Sequence, residues 1–78
     1  MRFKILGIEK LDYISKRTGR PVRGTNLYCQ DLEKQIDSGI VTEKLYVKEV
    51  IDCSSLQLDD CINVYYNQYG NVDDVRLM

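Results

Sequence analysis

The 78-residue sequence contains no histidine and no tryptophan, only one proline, and three cysteines. Without histidine, the usual general base and the Ser-His and Cys-His nucleophile pairs are missing. A zinc site built here would need a carboxylate as its fourth ligand, which structural zinc sites rarely use. Cys29, Cys53 and Cys61 are an odd set with no C-x-x-C spacing, so they read as free thiols that pack as small hydrophobes in a reducing compartment. No enzymatic activity, metal site or cofactor is expected. No apolar run approaches the roughly 18 residues of a membrane span, and no signal segment opens the chain. The expectation is therefore a cytoplasmic protein that does not enter a membrane. A composition of 44% hydrophobic and 29% charged residues with a net charge of −1 is too apolar and too near neutrality for disorder. The length allows a single domain over residues 1–78. A chain of this size buries only about 60–65% of its unfolded surface, and so thin a core favours a homodimer.

The charges that are present are unevenly placed. Residues 1–24 hold seven bases (Arg2, Lys4, Lys10, Lys16, Arg17, Arg20 and Arg23) against two acids, a local +5. Residues 25–78 hold four bases against ten acids, a local −6. Such asymmetry is the footprint of a local electrostatic surface, whereas the net value bears on solubility.

Period-two alternation and turn residues predict strands almost throughout. Residues 2–8 form an apolar strand in which Gly7 signals a bulge, and residues 9–14 carry it toward a turn at Ser15–Arg20. Gly19 supplies positive φ there and Ser15 a side-chain bond to nearby backbone. Pro21 confines the returning strand, 22–32, to an edge or a projecting wing. A third strand spans 43–51 with Leu45, Val47 and Ile51 on one face. Residues 52–60 form a connection with room for one helical turn. Strands at 61–67 and 72–77 close around the loop Gln68-Tyr69-Gly70-Asn71. Five short strands with regular turns predict an all-β protein. The first choice is a small five-stranded OB-like barrel with a projecting basic hairpin, the alternative an open five-stranded antiparallel sheet.

Alternation also sorts the tyrosines. Tyr28 shares its strand face with Asn26 and Gln30, Tyr46 with Lys44 and Lys48, and Tyr65 with Asn63 and Asn67. Their apolar neighbours Leu27 and Cys29, Leu45 and Val47, Ile62 and Val64 point the other way. Three strands thus each set one ring on the wet face. Such rings are platforms for unpaired bases, each stack being worth about 1–3 kcal/mol with little sequence preference. Lys16, Arg17, Arg20 and Arg23 supply cations for a phosphate backbone. Tyr13 shares a face with Leu11 and leads into the basic turn, and Tyr69 stands at a hairpin tip, where a protein contact is the favoured role.

The segments DYISKRTGRPVRGTNLYCQDL and NVYYNQYGNVDDVRLM resemble the filamentous-phage helix-destabilising proteins and their small single-strand-binding relatives on bacterial mobile elements. The likeness covers about half the chain. It rests on a Ser-Lys-Arg-Thr-Gly-Arg-Pro hairpin running into a Tyr-Cys strand, and on a closing hairpin ending in an Asp-Asp-Val-Arg-Leu strand. It implies an OB-like barrel, a two-fold dimer, a role in DNA replication or transfer, and sequence-tolerant coating of single-stranded DNA. By the same likeness the basic wing is Lys16, Arg17, Arg20 and Arg23, and the stacking aromatic is Tyr28. The acidic second half departs from that pattern.

The leading expectation is a binder of single-stranded DNA, with RNA as the alternative ligand. The basic hairpin holds phosphates, and bases stack on Tyr28 and Tyr46 beside Lys44 and Lys48, with Tyr13 and Tyr65 as further contacts. The alternative is a protein-interaction module, a dimeric adaptor or regulator, using the tyrosine face and the acidic half. A third class, metal-dependent chemistry at Asp59-Asp60 or Asp73-Asp74, is disfavoured because consecutive strand residues point to opposite faces.

Overall fold

The computed structural model describes all residues, Met1–Met78. Five antiparallel strands form one sheet and there is no helix: β1 (Arg2–Ile14), β2 (Pro21–Asp31), β3 (Thr42–Lys48), β4 (Cys61–Tyr66) and β5 (Val72–Leu77). The strand order is β3-β2-β1-β4-β5. The two outer strands, β3 and β5, curl toward one another but share no ladder. The open sheet is the form observed, and barrel closure between those edges is not made. A cleft of about 370 Å³ separates them, with Leu45, Tyr46 and Lys48 on one bank and Tyr66, Asn71 and Val72 on the other.

The inner side of the curl carries the core. Phe3, Ile5, Leu27, Cys29, Leu45, Val47, Ile62, Val64 and Val72 are buried, joined by Leu56 from the β3–β4 connection. Each strand contributes through alternate positions, as a half-buried sheet requires. The one buried polar residue, Asp31, ends β2 by accepting the backbone N–H groups of Glu33 and Lys34 at 2.8 and 3.1 Å.

β1 changes phase once. Ile5 pairs with Cys29 and Gly7 with Tyr28, leaving Leu6 as an extra residue between them. That bulge reverses which residues face inward. Phe3 and Ile5 point into the core before it; after it Ile8 packs against the core, and Gly7, Glu9, Leu11 and Tyr13 fall on the outer face. β4 pairs with β1 only at Arg2–Lys4 and β3 pairs with β2 only from Gly24 onward. The ladder from Asp12–Arg23 to Ile14–Pro21 therefore stands alone as a two-stranded wing. At its tip, Ser15 Oγ accepts the N–H groups of Arg17 and Thr18 at 3.3 and 3.4 Å, and Gly19 sits at φ +70°.

The β3–β4 connection differs from the sequence expectation. β3 stops at Lys48, and Ile51 reaches the core from a loop rather than from a strand. In place of a helical turn there are separate tight turns, closed by Ile51 N–H to Lys48 O (3.0 Å) and Leu56 N–H to Cys53 O (3.1 Å). The Asp52 carboxylate accepts the Ser54 N–H at 2.8 Å, and such local side-chain bonds compete with helix formation.

Candidate nucleic-acid interface

The outer face of β3-β2-β1 is a grid fixed by register. Across the three strands Lys44 lies beside Tyr28 and Gly7, Tyr46 beside Asn26 and Glu9, and Lys48 beside Gly24 and Leu11. One row beyond Lys44, Thr42 lies beside Gln30 and Lys4. On the wing side the face continues to Val22 and Tyr13. The rings of Tyr28 and Tyr46 are 41% and 47% exposed while Leu27 and Val47 are wholly buried, so these tyrosines stand outside the core.

Both rings are seated on glycines. A Cβ on Gly7 would touch Tyr28 at 3.5–3.9 Å, and one on Gly24 would meet the Tyr46 ring at 2.8 Å. The hydroxyls are anchored as well: Tyr46 donates to the Arg23 carbonyl at 2.9 Å and Tyr28 to Glu9 Oε1 at 3.1 Å. Asn26 Nδ2 donates to the same Glu9 oxygen at 3.0 Å. The bonds from Asn26 and Tyr28 hold the Glu9 carboxyl below the ordinary carboxylate range, and the Glu9 bond raises the Tyr28 phenol. Each tyrosine thus lies over the neighbouring strand with its hydroxyl fixed, and its outer ring face open.

The cations fall into two groups. Lys16, Arg17 and Arg20 are exposed at the wing tip, and neither they nor Lys44 and Lys48 join an ion pair. Arg23 is different. It projects from the opposite face of the wing to Tyr28, five positions away on the same strand, and lies 3.3 Å from the Asp12 carboxylate. It also lines a cavity of about 500 Å³ between the wing base and residues 49–54, where Glu49 and Asp52 face Lys10. The base of the wing meets acids and its tip does not.

Tyr65 is outward-facing and 48% exposed, but it stands apart from the other rings. The β1–β4 ladder ends at Arg2–Asn63, so Tyr65 lies past the start of β1, while Tyr28 lies opposite Gly7 beyond the bulge. Its partner across β5 is Asp74, and the Arg76 guanidinium sits 5.5 Å from its ring centroid. Arg76 also binds Asp74 at 2.8 Å and draws that carboxyl down. Tyr13 (53% exposed) lies on the tyrosine face toward the wing, and Tyr69 (78% exposed) tips the β4–β5 loop near the β3 edge.

From sequence alone Glu9 has no place on this face, and Lys4 is placed only in the basic cluster and Asn26 only beside Tyr28. Glu9 reaches this face only because of the bulge at Leu6, for which Gly7 was the one signal. The thiols behave as small hydrophobes or surface groups. Cys29 is buried, with burial and then Glu43 pushing its pKa up to about 11; Cys53 is half-buried and Cys61 exposed. No cluster of carboxylates and thiols suited to a metal ion is present, and no helix is long and apolar enough to cross a membrane. No family model, curated protein or solved structure matches this chain.

Proposed function

We propose that the protein binds single-stranded nucleic acid, DNA in the first place, by stacking bases on Tyr28 and Tyr46 and holding phosphates with the wing. The observation that carries this reading is the pair of glycine-seated tyrosines, side by side on β2 and β3 and flanked by the unpaired Lys44 and Lys48. Rings held in this way lose little freedom when a base settles on them, and stacking is tolerant of sequence. Lys16, Arg17 and Arg20 track the backbone and release counterions. Tyr13 extends the stacking row toward them. Arg23 and Tyr65 are secondary, since Asp12 and Arg76 already occupy them.

The strand order gives independent support by analogy. In five-stranded OB folds the strand 2–3 face and the 1–2 and 4–5 loops contact oligonucleotides. Here those elements carry Tyr28 and Tyr46, Lys16 to Arg20, and Tyr69.

The deciding experiment is quenching of tyrosine fluorescence by oligo-dT at two salt concentrations. With three or four phosphates neutralised, the log-log salt slope is about −2 to −3, at about −0.7 per phosphate. Replacing Lys16, Arg17 and Arg20 together by glutamine flattens that slope by about 2. Absence of quenching, or binding indifferent to salt, refutes the reading and favours a protein-interaction surface on the same face.

A further inference from the structure

Glu9 is the one acidic strand residue in the β3-β2-β1 grid, and it lies among the rings that receive the bases. An anion on a phosphate-tracking surface opposes backbone binding, so its presence calls for a compensating role. It is also held in place. Tyr28 Oη and Asn26 Nδ2 both bind Oε1, at 3.1 and 3.0 Å, and no cation pairs with it. The second oxygen, Oε2, makes no bond within the protein. A carboxylate of this kind is an acceptor only, and it is exposed, beside a ring whose hydroxyl ends at the same group.

We propose that Glu9 makes the site selective for guanine. This rests on the single-strand reading above and deepens it. Among the Watson–Crick edges of the four bases, guanine alone offers two adjacent N–H donors, N1–H and the N2 amine, with no acceptor between them, so both can be directed at the two lone pairs of Oε2 while Oε1 keeps its bonds to Tyr28 and Asn26. Thymine and uracil present one N–H between two carbonyls. Cytosine and adenine present an amine next to a ring nitrogen acceptor. In each of those three, an acceptor faces the carboxylate and repels it. A guanine stacked on Tyr28 brings its edge to Oε2, and the hydrogen bonds from Tyr28 and Asn26 spare the carboxylate any rearrangement. The carboxyl is ionised well below neutrality, because those same bonds favour its charged form.

The test compares a short oligo-dT with the same strand carrying isolated dG residues, spaced to prevent quadruplex formation, and with inosine in place of each dG. Wild-type protein is expected to bind the dG strand about tenfold more tightly than oligo-dT, the lower end of what a base-edge contact discriminates. Inosine, which lacks the N2 amine, loses most of that gain. Glu9→Gln removes the preference, so that the dG strand and oligo-dT bind it alike. A wild-type protein that binds all three strands equally overturns the assignment, as does a Glu9→Gln variant that keeps the preference. Failure to bind any strand refutes the single-strand reading itself. The base series on unmodified protein decides the matter even if the variant folds poorly.

Discussion

Gly24→Ala tests the seat of Tyr46, which holds one of the two stacking rings. The added methyl group would lie 2.8 Å from Cε2 and 2.9 Å from Oη of Tyr46, and 2.7 Å from the Val47 carbonyl oxygen. The ring can swing away, because it is half exposed and anchored only through its hydroxyl to Arg23 O. The carbonyl belongs to β3 and yields only if the strand moves. Gly24–Lys48 is the last pair of the β2–β3 ladder, so the strain is relieved by fraying that end. Overpacking of this kind costs about 1–3 kcal/mol, to which the φ of +158° at Gly24 adds backbone strain for any side chain, while fraying at the strand end relieves part of the clash. In a domain of this size about 1 kcal/mol lowers the Tm by roughly 4–8 °C. Thermal denaturation followed by circular dichroism is expected to show such a drop, with oligo-dT affinity reduced as far as it is by Tyr46→Ala. Because the ring is part of the clash, Gly24→Ala is less costly in a Tyr46→Ala background, and a double-mutant cycle measures that coupling. Gly19→Ala is the control: φ is +70° there but nothing lies within 4 Å, so it strains the wing turn and leaves Tyr46 in place. A Gly24→Ala protein with wild-type Tm and affinity, or a cycle with no coupling, refutes the seating argument.

Tyr28→Phe keeps the ring over Gly7 and loses the Glu9 bond, so oligo-dT affinity is expected to stay within about twofold of wild type, while Tyr28→Ala loses about tenfold from one missing stack; equal losses in fluorescence titration contradict stacking. Cys29, 1% exposed, has its pKa raised from 9.0 to about 11, so its neutral form is favoured by folding. The stability this carries is complete below about pH 9, where the unfolded thiol is also neutral, and is lost as pH rises toward 11; the loss totals about 2–3 kcal/mol over the window. Urea midpoints that fall in parallel for wild type and Cys29→Ala across that range contradict the assignment. Unladdered outer edges on β3 and β5 and the thin core predict self-association, and sedimentation showing monomer alone at high concentration is the contrary result.

Much of the fold is legible in local sequence because burial here follows strict alternation. Leu27 and Cys29, Leu45 and Val47, and Ile62 and Val64 are all inward, and Tyr28, Tyr46 and Tyr65 are all outward, as period two requires. The turns are equally local: Gly19 and Gly70 both take positive φ, and Ser15 binds the backbone just after it. What alternation cannot supply is the count of residues across a bulge. Leu6 is a leucine with 42% exposure because pairing with β2 skips it, and that skip decides that Glu9 rather than Ile8 faces outward. Nor does alternation mark the end of β3 at Lys48, where the Ile51 N–H turns back to the Lys48 carbonyl at 3.0 Å and Ile51 meets the core from the loop. Grouping three tyrosines by face was correct for orientation and incomplete for position. Residues on one face of a sheet can lie far apart along it, and only the β1–β4 register reveals that Tyr65 has Asp74 and Arg76 for neighbours rather than Tyr28.

Register also explains why a chain of net charge −1 presents a cationic approach to a polyanion. The wing tip carries Lys16, Arg17 and Arg20 beyond the Arg23–Asp12 pair, and no acid occurs in residues 13–24; the remaining acids sit at the wing base, at the end of β2, in the β2–β3 connection and β3, or on the β4–β5 side. At physiological ionic strength fields decay over about 8 Å, so a strand arriving at the tip meets Lys16, Arg17 and Arg20 nearly unscreened by the protein's own carboxylates. Of the acids at the site, Asp12 is engaged by Arg23 at 3.3 Å and Glu9 by Tyr28 and Asn26, while Glu43, beside Lys44, lines the hollow next to Tyr28. Glu9 keeps one oxygen, Oε2, free of bonds within the protein. On the proposed binding face, the carboxylate fixed beside the rings is therefore Glu9, the group to which the proposal above assigns the choice of base.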